Sequence, residues 1–380
     1  MPTRGVLQER APDVGFAVEY DGGMKQACAK GAAAFTLLVA DEPQLQRILK
    51  GDDYSAARAY VRGEFEVSGD LVAAVRLKHN YTHSRFFHRL WSVAARWAPS
   101  RIETWFQSKE RAAENIRYHY DVSNEFYAKF LDSRMVYSEG YFEDPSWSLE
   151  QAQQAKLDGI CRDLDLRPGE RFLDVGCGWG ALLIHAAECY GAQATGCTLS
   201  HGQHEFTDAA IAARGLEKQA RVEEIDYRDI SQRFEKIASI GMFEHVGRRR
   251  LGKYFQKIYS MLEDGGLFLN SGITRPQAVS DDPQTLFLLK RVFPGGELAH
   301  LSDVIRKAEG AGFRILKARN LAKHYARTCR IWVERLRGKK ESCVSLVGKE
   351  KYRTWLLYLA ASAASFEDGH TEAFSILMGK

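Results

Sequence analysis

No stretch of this chain approaches the run of about 18 apolar residues that a membrane-spanning helix needs. The opening residues, MPTRGVLQERAPDVG, contain no apolar core of a secretory signal. Any contact with lipid is therefore expected at a surface, from the cytoplasmic side. Cysteine is scarce: there are seven, an odd number. They are Cys28, Cys161, Cys177, Cys189, Cys197, Cys329 and Cys343, scattered and without a CxxC pair. That pattern argues against a disulfide framework or a zinc site and for reduced thiols in the cytoplasm. Internal repeats and low-complexity tracts are absent as well.

What is present suits a large two-part protein. The 380 residues are 45% hydrophobic, ample for a sizeable core, and a chain this long is expected to hold about two domains. Lys and Arg number 53 against 49 Asp and Glu, a net charge of +4. Such a mild excess suits an anionic membrane surface or a nucleic acid and demands neither. Residues 1–14 look like a tail. Strands are expected at Phe16–Tyr20 and Ala34–Ala40, with helices from Asp41 to Lys50, over Asp52–Tyr60 and from about Leu71. Residues 1–80 thus form a small α+β domain without a catalytic constellation. Residues 81–115 are a basic aromatic linker. Its helix Arg85–Trp97 could lie in a membrane interface or pack its rings between domains.

From 116 to 380 the pattern is an αβ alternation, which implies a mostly parallel sheet with right-handed crossovers. Helix Ser148–Leu166 precedes strand Arg171–Val175. Further strands are expected at Gln193–Leu199, Arg221–Ile225, Glu235–Gly241 and from Leu267, with helices over His201–Arg214 and Leu251–Leu262. Residues 275–380 read as mostly helical. The first strand runs into Asp174-Val175-Gly176-Cys177-Gly178-Trp179-Gly180 and then an apolar helix start. Glycines let such a turn bring bare backbone to a ligand, beside the unpaired N–H groups of a helix N-terminus. A dinucleotide loop is the alternative, but its G-x-G-x-x-G spacing is not met, and no P-loop G-K-[ST] follows. The form D-x-G-x-G-x-G resembles motif I of the class I S-adenosylmethionine methyltransferases.

Ligands of such sheets sit outside the carboxyl ends of the strands. Gly176, Gly178 and Gly180 would meet the methionine part and the ribose. After the second strand come Thr198-Leu199-Ser200, with Gln203 a turn into the helix; these could hold ribose hydroxyls or simply cap the helix. Asp226-Tyr227-Arg228 offers an acceptor for an adenine amine and a ring to stack, or an ordinary turn. The fourth strand ends in Gly241-Met242-Phe243-Glu244-His245-Val246-Gly247. A carboxylate beside a histidine at that end is a candidate site, Glu244 and His245, unless the Glu only caps a helix.

Seven segments in order carry a closer resemblance: Tyr118–Tyr127, Tyr137-Ser138, Leu173–Gly180, Thr198–Gln203, Asp226–Asp229, Met242–Gly247 and Phe293–Gly296. Over about residues 115–380 the chain resembles the cyclopropane-fatty-acyl-phospholipid synthases and mycolic acid methyltransferases. The resemblance implies a class I, Rossmann-like fold with a seven-stranded sheet and helical lipid-binding insertions. It implies S-adenosyl-L-methionine as cofactor, S-adenosyl-L-homocysteine as product, and Tyr137, Ser138 and Asp174 in the cofactor site. It also implies a mechanism. The double bond of an unsaturated acyl chain attacks the sulfonium methyl, and a base takes a proton from the resulting carbocation. Family members hold a bicarbonate as that base, between a Cys, a Glu, a His and a Tyr. The Glu and Tyr map to Glu244 and Tyr325. The Cys position holds Glu139 and the His position Ser271. A carboxylate at 139 would repel bicarbonate and could itself be the base, paired with Glu244; alternatively it points to solvent.

The expected substrate is an unsaturated phospholipid in the membrane, methylated at carbon to a cyclopropane or a methylene- or methyl-branched chain. The enzyme is expected to be a homodimer attached peripherally to the inner face of the membrane. Two rivals stand beside this: a lipid-binding scaffold with an inactive methyltransferase domain, and a methyltransferase of another substrate. No nucleic-acid module is evident.

Overall fold

The computed structural model describes residues 15–23, 25–27, 32–50, 53–76, 123–276 and 297–380. The expected helix Arg85–Trp97 and the segments Tyr118–Val122 and Phe293–Gly296 lie outside the described residues. The chain divides into two compact units, one of Met1–Phe106, Asp281–Val292 and Val333–Ala364, the other of Gln107–Ser280, Phe293–Trp332 and Ser365–Lys380.

The first unit contains strands β1 (Phe16–Tyr20), β2 (Lys25–Ala27), β3 (Phe35–Val39) and β4 (Glu66–Gly69), in the order β2-β1-β3-β4. Helices α1 (Glu42–Lys50), α2 (Asp53–Arg62) and α3 (Leu71–Arg76) accompany them. β1 and β3 run parallel and bury Phe16, Val18, Phe35, Leu37 and Val39, with the rings of Phe16 and Phe35 stacked at 5.3 Å. In the same unit Arg353, 2% exposed, donates to the carbonyls of Tyr60 (2.5 Å) and Phe65 (2.7 Å), pairs with Glu66 and lies over the Tyr60 ring. The sequence places Arg353 some 290 residues from these partners, so no local pattern announces the staple.

The second unit holds a seven-stranded sheet. In chain order its elements begin with α4 (Asn124–Tyr127), α5 (Leu149–Asp163), β5 (Arg171–Val175), α6 (Ala181–Tyr190), β6 (Gln193–Thr198), α7 (His201–Ala212) and β7 (Ala220–Glu224). Then come β8 (Phe234–Ile240), α8 (Leu251–Met261), β9 (Leu262–Thr274), α9 (Leu301–Glu309), β10 (Arg314–Asn320), helix α10 (Ala322–Gly338) and β11 (Glu372–Gly379). Between α10 and β11 the chain forms helices α11 (Lys340–Val347) and α12 (Lys349–Glu367), which belong to the first unit as far as Ala364. The strand order is β10-β11-β9-β8-β5-β6-β7. β5 through β9 are parallel; β11 is antiparallel to both β9 and β10.

The chain thus leaves β5 in one direction through β6 and β7 and returns to its other side through β8. The carboxyl ends of β5 and β8 are the switch point where ligands of such sheets bind. The central strands bury Phe172, Leu173, Val175, Ile237 and Ala238 completely or nearly so, because both faces are covered. The expected mostly parallel α/β fold is found. The described part of 275–380 is mostly helical, as expected, and two strands within it, β10 and β11, extend the sheet. Glu372–Gly379 is a short apolar run, a form that fits a buried strand as well as a helix until its pairing partners are known.

Candidate active site

At the switch point lies a cavity of about 470 Å³. β5 delivers Asp174 and Gly176 to it, β6 delivers Thr198 and Leu199, and β8 delivers Gly241. Gly178, Gln203, Asp226, Tyr227, Arg228 and His245 also line it, as do Tyr137 and Ser138 from the loop before α5. The residues expected around the cofactor are therefore gathered on one cavity from five stretches of the chain, with two exceptions. Gly180 does not line it; a Cβ there would meet the Thr207 side chain at 2.4 Å. Ser200 does not line the cavity; its hydroxyl caps α7 by accepting from the backbone N–H of Gln203 at 3.4 Å.

Backbone geometry explains the glycine turn. Gly178 has φ +56°, and a Cβ there would meet no atom within 4 Å, so the position faces open cavity space. Trp179 is anchored by its indole N–H to Asn124 Oδ1 at 2.8 Å, in α4. The ring of Tyr137 stacks on Trp332 at 5.2 Å. Thr198 Oγ1 donates to Gln203 Oε1 at 2.8 Å, presenting the amide at the cavity wall. Asp226 is turned onto Arg228, accepting from its backbone N–H at 2.9 Å and from its Nε at 2.8 Å. An adenine amine would share that carboxylate with the guanidinium. Burial pushes the Asp174 carboxyl up to about 7 against the pull of the Leu183 N–H and Lys156.

The expected acid pair is one residue away from this cavity on two sides. Ser138 lines it and Glu139 does not; His245 lines it and Glu244 does not. Both carboxyl groups are 2% exposed. They meet on β9: Glu139 Oε1 accepts from the Ser271 hydroxyl at 3.2 Å, and Glu244 Oε1 accepts from the Ile273 N–H at 2.6 Å. Glu244 Oε2 has no hydrogen-bond partner. Burial raises Glu244 to about 7, with the charge of Glu139 adding to the rise. Burial also raises Glu139, while Lys156 and the Ser271 hydroxyl pull it back. The solvent-facing alternative for Glu139 is thus set aside by its burial.

Between the two anchor points, a Cβ on Gly272 would stand 2.7 and 2.8 Å from the Glu244 oxygens and 2.4 Å from the Phe243 ring. Only a glycine leaves room for that carboxyl. Tyr325 does not line the cavity; its ring stacks on Phe366 at 4.5 Å. Its helix meets the Glu139 loop, with Thr328 Oγ1 accepting from Gly140 N at 3.0 Å and His324 Nδ1 from Phe142 N at 3.1 Å.

Three features were not foreseen: Gly272, Lys156 and the cation row Arg250, Lys253, Lys257 at the cavity wall. A signal existed for Lys156. The buried stripe of α5 runs Leu149, Ala152, Gln153, Lys156, Leu157, Ile160, Cys161, so a lysine occupies a core position at helical spacing.

A parallel sheet with its ligand cavity at a glycine turn, an acidic strand end and a hydroxyl–amide wall defines a class I methyltransferase. Comparison with known proteins narrows the class. Residues 107–376 match the family described as Mycolic acid cyclopropane synthetase. A Pseudomonas putida protein named "Probable fatty acid methyltransferase" is 38% identical over 351 residues, covering 91% of this chain and 87% of that one. A sphingolipid C9-methyltransferase of Komagataella phaffii is 32% identical over 337 residues, covering 84% of this chain and 68% of its own. Among solved structures, the Mycobacterium tuberculosis cyclopropane synthase MmaA2 superposes with a TM-score of 0.69 at 29% identity, covering 70% of this chain and 98% of that one. The mycolic acid cyclopropane synthase CmaA1, solved with SAH and CTAB, gives 0.68 at 31%, with the same coverage. This chain belongs to the mycolic acid cyclopropane synthetase family and is an S-adenosylmethionine-dependent methyltransferase.

Proposed function

We propose that the enzyme methylates a double bond in an acyl chain of a membrane phospholipid and that Glu139 is the base that completes the reaction. S-adenosylmethionine supplies an electrophilic methyl carbon on a sulfonium. The cavity lined by Gly178, Thr198, Gln203 and Tyr227, and also by Asp174 and Ser138, suits the holding of that cofactor. The alkene π pair forms the new carbon–carbon bond, and the lipid is left as a carbocation. Glu139 then takes a proton. If it comes from the new methyl, the C–H electron pair closes a cyclopropane; if a 1,2-hydride shift first moves the cation onto the methyl-bearing carbon, the same proton loss leaves a methylene group. If it comes from the neighbouring chain carbon, a methyl-branched alkene results.

The observation that carries this is the carboxyl pair on Ser271–Ile273, buried and one residue from the cavity wall on both sides. Anionic charge held there favours a developing cation in a dry site, where fixed charges act most strongly. Burial and the charge of Glu139 raise Glu244 to about 7, so the two carboxyls favour carrying one negative charge between them. Relatives named for fatty acids and sphingolipids support a lipid chain as substrate. No helix among the described residues is long and apolar enough to cross a membrane, which accords with attachment at a bilayer surface. Mass spectrometry of lipids from cells expressing the protein, with and without methyl-labelled methionine, tests the proposal. Phospholipid chains gaining one labelled carbon are expected; label confined to lipids without a modified acyl chain overturns it.

A further inference from the structure

Lys156 has no part in the scheme above, yet it is built into the site. It is 1% exposed and lines the cofactor cavity. Its ammonium donates to Ser138 Oγ at 2.7 Å. One turn earlier on the same helix, Gln153 Nε2 donates to the Ser138 carbonyl at 2.8 Å. The residue before Glu139 is thus gripped at side chain and backbone by α5, and the residue after it is held through Thr328.

The charged groups facing Lys156 are Glu139, Asp132 and Asp174. Those facing Glu139 are Lys156, the Ser271 hydroxyl of β9, Glu244, the Tyr141 phenol and the Cys329 thiol of α10. Among these Lys156 is the cation. A buried carboxylate without a countercharge picks up a proton and ceases to be a base.

We propose that Lys156 is a positioning residue for the reaction: its ammonium is the fixed countercharge of the Glu139 carboxylate, and its bond to Ser138 sets where that carboxylate stands. This rests on Glu139 being the base. Lys156 itself stays protonated throughout; the substrate proton goes to a Glu139 oxygen, and the C–H electron pair stays with the lipid. Burial draws the Lys156 ammonium down to about 8 while the three acids support it, so the countercharge fades above that pH.

The test uses the full chain on unsaturated phospholipid vesicles, with Glu139→Gln, Lys156→Met and Lys156→Ala beside the wild type. In Lys156→Met the acid limb of the pH–rate profile is expected to move up by about one unit or more, with a loss of about tenfold at neutral pH that narrows as pH rises. In Lys156→Ala, added ethylammonium should restore rate and ethanol should not. A limb that stays in place with an equal loss at every pH, or equal rescue by the neutral alcohol, overturns the proposal. If Lys156→Met does not fold, the rescue of Lys156→Ala decides alone. Activity surviving in Glu139→Gln overturns the base assignment instead; an inactive Glu139→Gln with an unmoved Lys156→Met limb overturns only the role of Lys156.

Discussion

The hydroxyl of Ser271 donates to Glu139 Oε1 across 3.2 Å, and neither side chain meets solvent. Two positions 132 residues apart, each a departure from the arrangement that the family resemblance implies, therefore touch. A thiol and an imidazole could surround a free anion. A carboxylate closed onto a hydroxyl supplies the anion covalently.

The consequence for turnover is direct. Glu139→Gln keeps the shape and the bond to Ser271 but not the charge. The variant should lose about 10²–10⁴ in rate, the usual worth of a general base, while S-adenosylhomocysteine affinity is kept. Wild-type activity should not rise with added bicarbonate. Assays with labelled cofactor on vesicles, in buffer purged of carbon dioxide and then replenished, measure both.

Gly178 combines a left-handed backbone with open space in front of its missing side chain. Gly178→Val would place a branched group inside the cavity and in a conformation it resists. Calorimetric titration should show cofactor affinity lost in a protein whose circular dichroism is unchanged; unchanged affinity would move the cofactor site elsewhere.

Glu244 makes stability depend on pH in a defined direction. Its carboxyl is raised by burial from 4.5 to about 7, so its burial costs nothing below pH 4.5 and the penalty grows as pH rises toward and through 7. The full penalty is on the order of 3 kcal/mol. Glu244→Gln cannot ionise. Relative to the wild type its melting temperature should therefore climb between pH 5 and about 8, beyond a constant offset from the altered group. A difference independent of pH would show that Glu244 is not buried as described.

Arg353 holds two carbonyls and Glu66 in the first unit. Arg353→Ala leaves those acceptors without their donor, a loss of about 3 kcal/mol. Urea unfolding should show it, and Arg353→Lys should recover only part, since an ammonium cannot reach all three partners in one plane.

Much of the sheet was legible because its signals are local. Arg171–Val175 is found where the sequence placed it: an apolar run stopped by glycine has one sensible reading at the centre of a parallel sheet. The cavity-lining residues at the ends of β5, β6 and β8 follow from topology, whereas Tyr137 and Ser138, on a loop, followed only from the family resemblance. The burial of Lys156 was signalled by its place on the apolar stripe of α5, but its partners were not legible, since the acids that face it come from positions 132, 139 and 174. The uses of Ser200 and Tyr325 also needed coordinates. A serine before a helix caps it whether or not a ligand is near, and the Tyr325 ring finds Phe366 across 41 residues.

The place of β11 bears on how the protein is made. Of the seven strands it is synthesised last, yet it lies between β9 and β10, with Ser375 opposite Ser271 and Phe374 opposite Gly272. Chains fold from the N-terminus as they emerge, so β5 to β9 can assemble on the ribosome while one edge of β9 waits open. That edge carries the anchor of Glu139. The buried carboxyl pair is anchored on a strand whose second neighbour arrives only with the final insertion. Until then the nascent enzyme exposes an unpaired strand to which a chaperone or a second nascent chain could add itself.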